Sequence, residues 1–175
     1  MPLLRNNAFV QDDWTTVGID EALPEGNVIV PFARLLKEYD ALSKRNGKLG
    51  VVFPSVERAE VLRTFLPALF LVVLSFPSFT DGRAYSIARQ LRELGFAGEL
   101  RAAGNVLPDQ LQFMRQVGFD SFEVSERFPP ALWLRSFGQM SLAYQRGLYR
   151  GAGETEVWSE RHGEAAPWFE QPFAG

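Results

Sequence analysis

Six consecutive apolar residues, Leu69-Phe-Leu-Val-Val-Leu74, constrain this chain more than any other feature. A strand with one wet face alternates apolar and polar residues. A strand that is apolar at every position is buried on both faces, as the central strands of parallel sheets are. A buried helical turn is the competing reading, but the run is short and is centred on Val72-Val73, whose β-branched side chains suit a strand. Parallel neighbours need crossover connections of a dozen or more residues, and the flanking sequence supplies them. Asn27–Pro31, Leu49–Phe53, Glu99–Ala103 and Ser121–Val124 read as further strands. Helical spacing fills the intervals. Leu35, Leu36, Tyr39 and Leu42 mark a helix over Phe32–Ser43, stopped by Asn46-Gly47. Ser55 caps a helix over Val56–Phe65. Ala84, Ile87, Ala88 and Leu91 share one face of a helix over Arg83–Leu94, ended by Gly95. Pro108 opens a helix carrying Leu111, Met114 and Val117 that ends at Gly118, and Pro129-Pro130 opens one running through Phe137 and Tyr144.

About five strands, each followed by a helix, imply an α/β fold with a parallel sheet of βα repeats. The sheet is either open, with helices on both faces, or a partial TIM-like barrel. A full eight-stranded barrel takes at least about 200 residues, and the chain has 175. Residues 1–26 read as an edge hairpin or extension, with Phe9-Val10 and Trp14–Val17 flanking a turn at Asp12-Asp13. Residues 27–150 form the α/β domain. Residues 151–175 read as a flexible tail with no apolar period. It carries Glu154, Glu156, Glu160, Glu164 and Glu170 against Arg161, and the isolated aromatics Trp158, Trp168, Phe169 and Phe173. Aromatic anchors in an acidic segment also suit docking into a partner's groove.

Several chemistries are excluded. There is no cysteine, so disulfides, thiolate catalysis and Cys-ligated metal or iron–sulfur centres are ruled out. The single histidine, His162, lies in the tail, which leaves the body without a His-based triad or metal cluster. With the acidic tail set aside, the body is close to neutral and gives no electrostatic footprint for nucleic acid. The longest apolar run, Leu66–Phe76, is about half of the ~20 residues that span a bilayer. The start, Met1-Pro-Leu-Leu-Arg-Asn-Asn, has no long apolar leader. No membrane association and a cytoplasmic location are expected. No G-x-G-x-x-G after a strand, Walker A run or G-x-S-x-G occurs.

In parallel α/β sheets ligands bind beyond the carboxyl ends of the strands. The residues that follow the strands are therefore the candidates, and Phe76-Pro-Ser-Phe-Thr-Asp-Gly-Arg83 stands out as a longer loop leading straight into a helix. Thr80 or Asp81 can cap that helix, Gly82 leaves room at its backbone, Arg83 adds a planar cation and Ser86 lies one turn on. A small anion fits such a place. The alternative is that Asp81 is a cap and Arg83 its ion-pair partner. Gly104 and Asn105 form the next turn, with Asp109 and Gln110 in the helix start beyond it; Arg101 lies on the preceding strand. The functional reading joins Arg101 and Asn105 with Asp81 and Arg83 at one rim. A carboxylate-only magnesium site through Asp81 or Asp109 lacks an acidic cluster to support it, so no metal is expected. Exposed aromatics at a partial-barrel edge would favour a homo-oligomer.

Phe79-Thr-Asp-Gly-Arg-Ala-Tyr-Ser86 with Ala88–Arg92, and Gly98–Gln110 with Gly118-Phe-Asp-Ser-Phe122, carry a family pattern. Over roughly residues 28–146 the chain resembles a bacterial domain-of-unknown-function family, number nine-three-four. That family is labelled an oxidoreductase of sulfite reduction, and its genes sit beside those of the sulfite reductase haemoprotein. Asn105 stands where the family often has Asp, and Ser78 where it often has Lys. The resemblance implies a role in assimilatory sulfite reduction, with the sulfite reductase haemoprotein as a partner. Three readings follow: an accessory protein of that enzyme, an oxidoreductase holding a phosphate-bearing cofactor such as a flavin at the rim, and a non-catalytic structural or assembly domain.

Overall fold

Chain connectivity dictates the shape of the sheet in the computed structural model. The structure describes residues 1–78, 80–138, 142–143 and 155–156. The strands are β1 (Leu3–Arg5), β2 (Ala8–Val10), β3 (Trp14–Thr16), β4 (Asn27–Pro31), β5 (Leu49–Phe53), β6 (Leu69–Phe76), β7 (Glu99–Gly104) and β8 (Ser121–Glu123). They form one sheet in the order β2-β1-β8-β7-β6-β5-β4-β3, so β2 and β3 lie at opposite edges. Flat, those edges would stand about 34 Å apart at the usual strand spacing. Only three residues, Gln11 to Asp13, join them, and from Val10 to Trp14 the chain reaches at most about 14 Å. The sheet must therefore curl on itself, and it does so as an open half-barrel with residues 11–13 crossing between its edges.

From β3 to β8 every neighbouring pair is parallel and in sequential order. Right-handed crossovers in sequential order place all their connections on one face. The helices α1 (Phe32–Leu42), α2 (Arg83–Glu93), α3 (Leu111–Gln116) and α4 (Pro130–Gly138) accordingly cover the convex face. Leu35, Ala88, Leu91, Met114 and Trp133 meet Val30, Val51, Val72, Leu74, Ala102 and Phe122 there in one core. Helices on both faces, one of the two expected closures, are thus replaced by the partial barrel.

The concave face has its own layers. Thr16, Ile29, Gly50, Leu71 and Glu99 form one register row, and Pro31, Val52, Val73, Arg101 and Ser121 the next. Ile29, Leu71, Val73 and Ala103 make a second apolar cluster there, flanked by Trp14 and Val52. Gly50 gives Trp14 its space: a Cβ at that position would lie 3.2 Å from the indole.

The five expected strands are present, β6 and β7 running slightly longer and β8 one residue shorter than the pattern suggested. The other three come from the first 17 residues. The hairpin turn is at Asn6-Asn7, both at positive φ (50° and 59°), and not at Asp12-Asp13. Two such residues give the mirror-image turn that matches strand twist. The expected helix over Val56–Phe65 is instead a 3-10 turn at Ala59–Leu62, with another at Leu66–Ala68. Only Ala59 and Leu62 of that stretch are buried, too narrow an apolar stripe to hold a longer helix against the sheet. The last helix does not run through Tyr144 as expected: it spans Pro130–Gly138, and Leu142–Ala143 is a strand paired in parallel with Thr155–Glu156. Apart from that pairing, the reading of residues 151–175 as a tail lies outside the described residues. No helix among the described residues is long and apolar enough to cross a membrane.

Candidate functional site

β6 and β7 are adjacent and parallel, with Phe76 in register with Gly104. Their two following turns therefore leave the sheet at the same end. Asn105 locks them together: its backbone N–H donates to Phe76 O (2.9 Å) and its Nδ2 to Pro77 O (2.6 Å). Gly104 makes this approach possible. Its φ is +90°, and a Cβ there would lie 2.6 Å from Phe76 O. Gly104→Ala is expected to cost roughly 2–3 kcal/mol, from the left-handed backbone and from the loss of the turn-to-turn bonds. Urea unfolding of the purified variant measures it, and an unchanged midpoint would refute the close-approach account.

On the β6 side, Ser78 organises a tight turn. Its carbonyl accepts from Asp81 N–H (3.0 Å), and its hydroxyl lies 2.9 Å from the Thr80 hydroxyl. Asp81 Oδ1 accepts from Arg83 N–H (3.1 Å) at the start of α2. The same carboxylate receives Arg83 Nε (2.9 Å) and Nη2 (2.6 Å). Arg83 holds the Asp81 carboxyl down at about 2, through its side-chain bond first and its backbone N–H second. Both groups stay charged at neutral pH. Arg83 is 55% exposed, and its Nη1 has no hydrogen-bond partner among the described residues. Gly82 has an ordinary φ of −83°, and a Cβ there would meet nothing within 4 Å. Its presence is therefore not dictated by a close contact within the fold. Ser86 is exposed one turn along α2.

Asp109 and Gln110 sit in the 3-10 turn Pro108–Gln110 that precedes α3. Gln110 has a structural job, accepting Leu107 N–H on Oε1 (3.3 Å). Asp109 is exposed and close enough to Tyr85 to add to the upward shift that burial gives that phenol. Tyr85 in turn packs against Phe76 and Phe113, with ring centroids 5.1 and 5.0 Å away, and ties α2 to α3 beside the rim. Thr80, Asp81, Gly82, Arg83, Gly104 and Asn105 are thus brought together, with Ser86, Asp109 and Gln110 on the flanking helical turns.

Arg101 is not part of this rim, which corrects the expectation that it would be. It is 1% exposed and points into the concave face. Its guanidinium donates to both oxygens of Asp12 (2.7 and 3.1 Å) and to Glu99 Oε1 (3.1 and 3.2 Å). Glu123 is 3.7 Å away. Burial works against the charge, but these carboxylates outweigh it and the Arg101 pKa is raised. Burial also pushes Glu123 up, against the pull of Arg101. Asp12 belongs to the crossing segment, so the cluster latches that segment onto the interior of the half-barrel. The sequence signal was available: Glu99 and Arg101, and Ser121 and Glu123, are i, i+2 pairs that must share a strand face. A polar cavity of about 310 Å³ opens at this end, lined among others by Arg5, Asp12, Asp13, Lys48, Glu99 and Arg101. It lies at the amino ends of the parallel strands, away from the Asn105 rim. Among the described residues no group of three or more acidic or histidine side chains is placed to hold a metal ion.

A family model described as "Bacterial protein of unknown function (DUF934)" matches residues 50–152, a stretch that begins in β5 and contains the whole rim. No curated protein and no solved structure matches the chain.

Proposed function

Because the chain belongs to the bacterial DUF934 family, we propose that it serves assimilatory sulfite reduction as an accessory protein that engages the sulfite reductase haemoprotein through the rim of residues 76–83 and 104–105. One observation carries this reading. The turns of the two segments that bear the family resemblance are locked side by side by Asn105, and they hold out one half-free guanidinium, Arg83. A preorganised turn pair with an exposed fork suits recognition of an anionic group, because little order has to be gained on binding.

The charge balance favours a carboxylate on a protein surface over sequestered sulfite. Asp81 is ionised beside Arg83 and cancels much of its field, and the Arg83 guanidinium is open to water, where a single small anion gains little. A partner adds area around the same contact, which a free anion cannot do. The oxidoreductase reading, with a phosphate-bearing cofactor at the rim, remains as an outcome of the test.

The test has two arms. Deleting the gene should impair growth on sulfate but not on cysteine. The tagged full-length chain should co-purify the haemoprotein, and Arg83→Glu should reduce that capture at least about tenfold with its melting temperature unchanged, the scale of one lost charge-assisted contact plus a repulsion. Equal growth on both sulfur sources, or capture indifferent to Arg83, would sink the proposal. Flavin absorbance in the purified chain would move the assignment to the cofactor reading.

A further inference from the structure

We propose that the apolar groove at the amino end of β6 seats the chain's own acidic, aromatic segment, residues 157–175. The groove has a volume of about 510 Å³ and is lined by Leu66, Pro67, Phe70, Leu94 and Phe96, with Arg63 at its side. That volume is within the range of pockets that enclose a ligand of drug size, about 300–1,000 Å³. It is ample for an aromatic anchor.

Phe70 marks the place. It is 52% exposed, while Leu69, Leu71, Val72, Val73 and Leu74 of the same strand are buried. A large exposed aromatic at the start of a central strand, beside an apolar groove, is the kind of patch that marks an interaction site. The groove is also framed by positive charge. Lys48 Nζ stands 5.8 Å from the centre of the Phe70 ring. Arg63 is exposed. Neither forms an ion pair with a described residue. The fitting occupant is therefore an acidic peptide with aromatic anchors.

Residues 157–175 have that chemistry: Trp158, Trp168, Phe169 and Phe173, with Glu160, Glu164 and Glu170 against Arg161. They also have the reach. α4 ends at Gly138 and Thr155–Glu156 pair with Leu142–Ala143 four residues beyond it, but from Glu156 to Gly175 the chain could extend to about 60 Å, more than the width of a domain whose radius of gyration is about 15 Å. This inference is independent of the sulfite reading, since the groove lies at the end of the sheet opposite the Asn105 rim.

A photo-crosslinking phenylalanine analogue in place of Phe70, in the full-length chain, tests it. Irradiation should yield adducts on residues 157–175. Replacing Trp158, Trp168, Phe169 and Phe173 with serine should reduce those adducts at least about tenfold, as expected when hot-spot aromatics are removed. Lys48→Glu with Arg63→Glu should reduce them as well. Adducts confined to residues 1–138 would overturn the proposal. A mixture of isotope-labelled and unlabelled chains adds the last control: adducts found only between chains would also overturn it, and would assign the groove to a second copy.

Discussion

Arg101→Met is expected to lower the unfolding free energy by about 3–5 kcal/mol near neutral pH, the usual cost of removing one partner from a buried ionic group. The guanidinium is 1% exposed and neutralises carboxylates from three separate parts of the chain: Asp12 on the crossing segment, Glu99 on β7 and Glu123 on β8. Methionine matches much of the stem volume, so the loss reports stranded charge and not a cavity. It should also depend on pH. Burial already raises the Glu123 pKa, with Arg101 pulling it down. Without Arg101 the folded state binds this proton more tightly than the unfolded chain does, so stability falls as pH rises from the ordinary glutamate range to the raised value and returns as pH drops back toward about 4.3. Adding Asp12→Asn and Glu123→Gln to Arg101→Met should recover a large part of the loss, because uncharged groups do not need the guanidinium. Urea unfolding at the two pH values measures all of this. A single variant within about 1 kcal/mol of the parent, or a deficit that grows on acidification, would contradict the latch.

The same cluster shows where the sequence was legible and where it was not. The five central strands could be read because their signal is local: an apolar run, a turn residue, a helix-spaced stretch. Val72 and Val73 say buried strand whatever surrounds them. β1, β2 and β3 are three residues each and owe their existence to partners far along the chain, Leu4 to Phe122 and Thr15 to Val28. Only Asn6-Asn7 announced the hairpin, through its tolerance of positive φ. The shared rim followed from strand direction alone, since neighbouring parallel strands end together. The error at Arg101 had a different origin. Its strand position fixed a face but not which face held the helices, and that was decided by the crossover handedness and the curl. Asp12, which completes the ion pair, is 89 residues away, and no local pattern links the two.

Arg92→Ala is expected to cost a similar amount, about 3–5 kcal/mol, and it separates the structural half of the family pattern from the half left for function. Arg92 sits in the last turn of α2 with its side chain 4% exposed. Nη1 donates to Phe96 O (2.7 Å) and Gly98 O (2.8 Å), and Nε and Nη2 to Gly118 O (3.0 and 2.8 Å). Nη2 also pairs with Asp120, which accepts Leu100 N–H (2.7 Å). Burial raises the Asp120 pKa against the pull of that N–H and of Arg92. One planar fork thus satisfies carbonyls of two loops and a half-buried carboxylate. Its stem also lies against Gly118, where a Cβ would come within 2.7 Å of Arg92 Cγ. Truncation leaves several buried acceptors unpaired at once. Arg92→Lys keeps the charge but not the fork, and should recover only part of the loss. Arg92, Gly98, Gly118 and Asp120 all lie in the two segments that carry the resemblance, so these segments are stapled at one end by Arg92 and at the other by Asn105. If the Arg92 end serves folding alone, Arg92→Lys should lower the melting temperature while the folded fraction captures the same partner as the parent chain. Loss of capture at full stability would move the functional surface to the Arg92 end and away from Arg83.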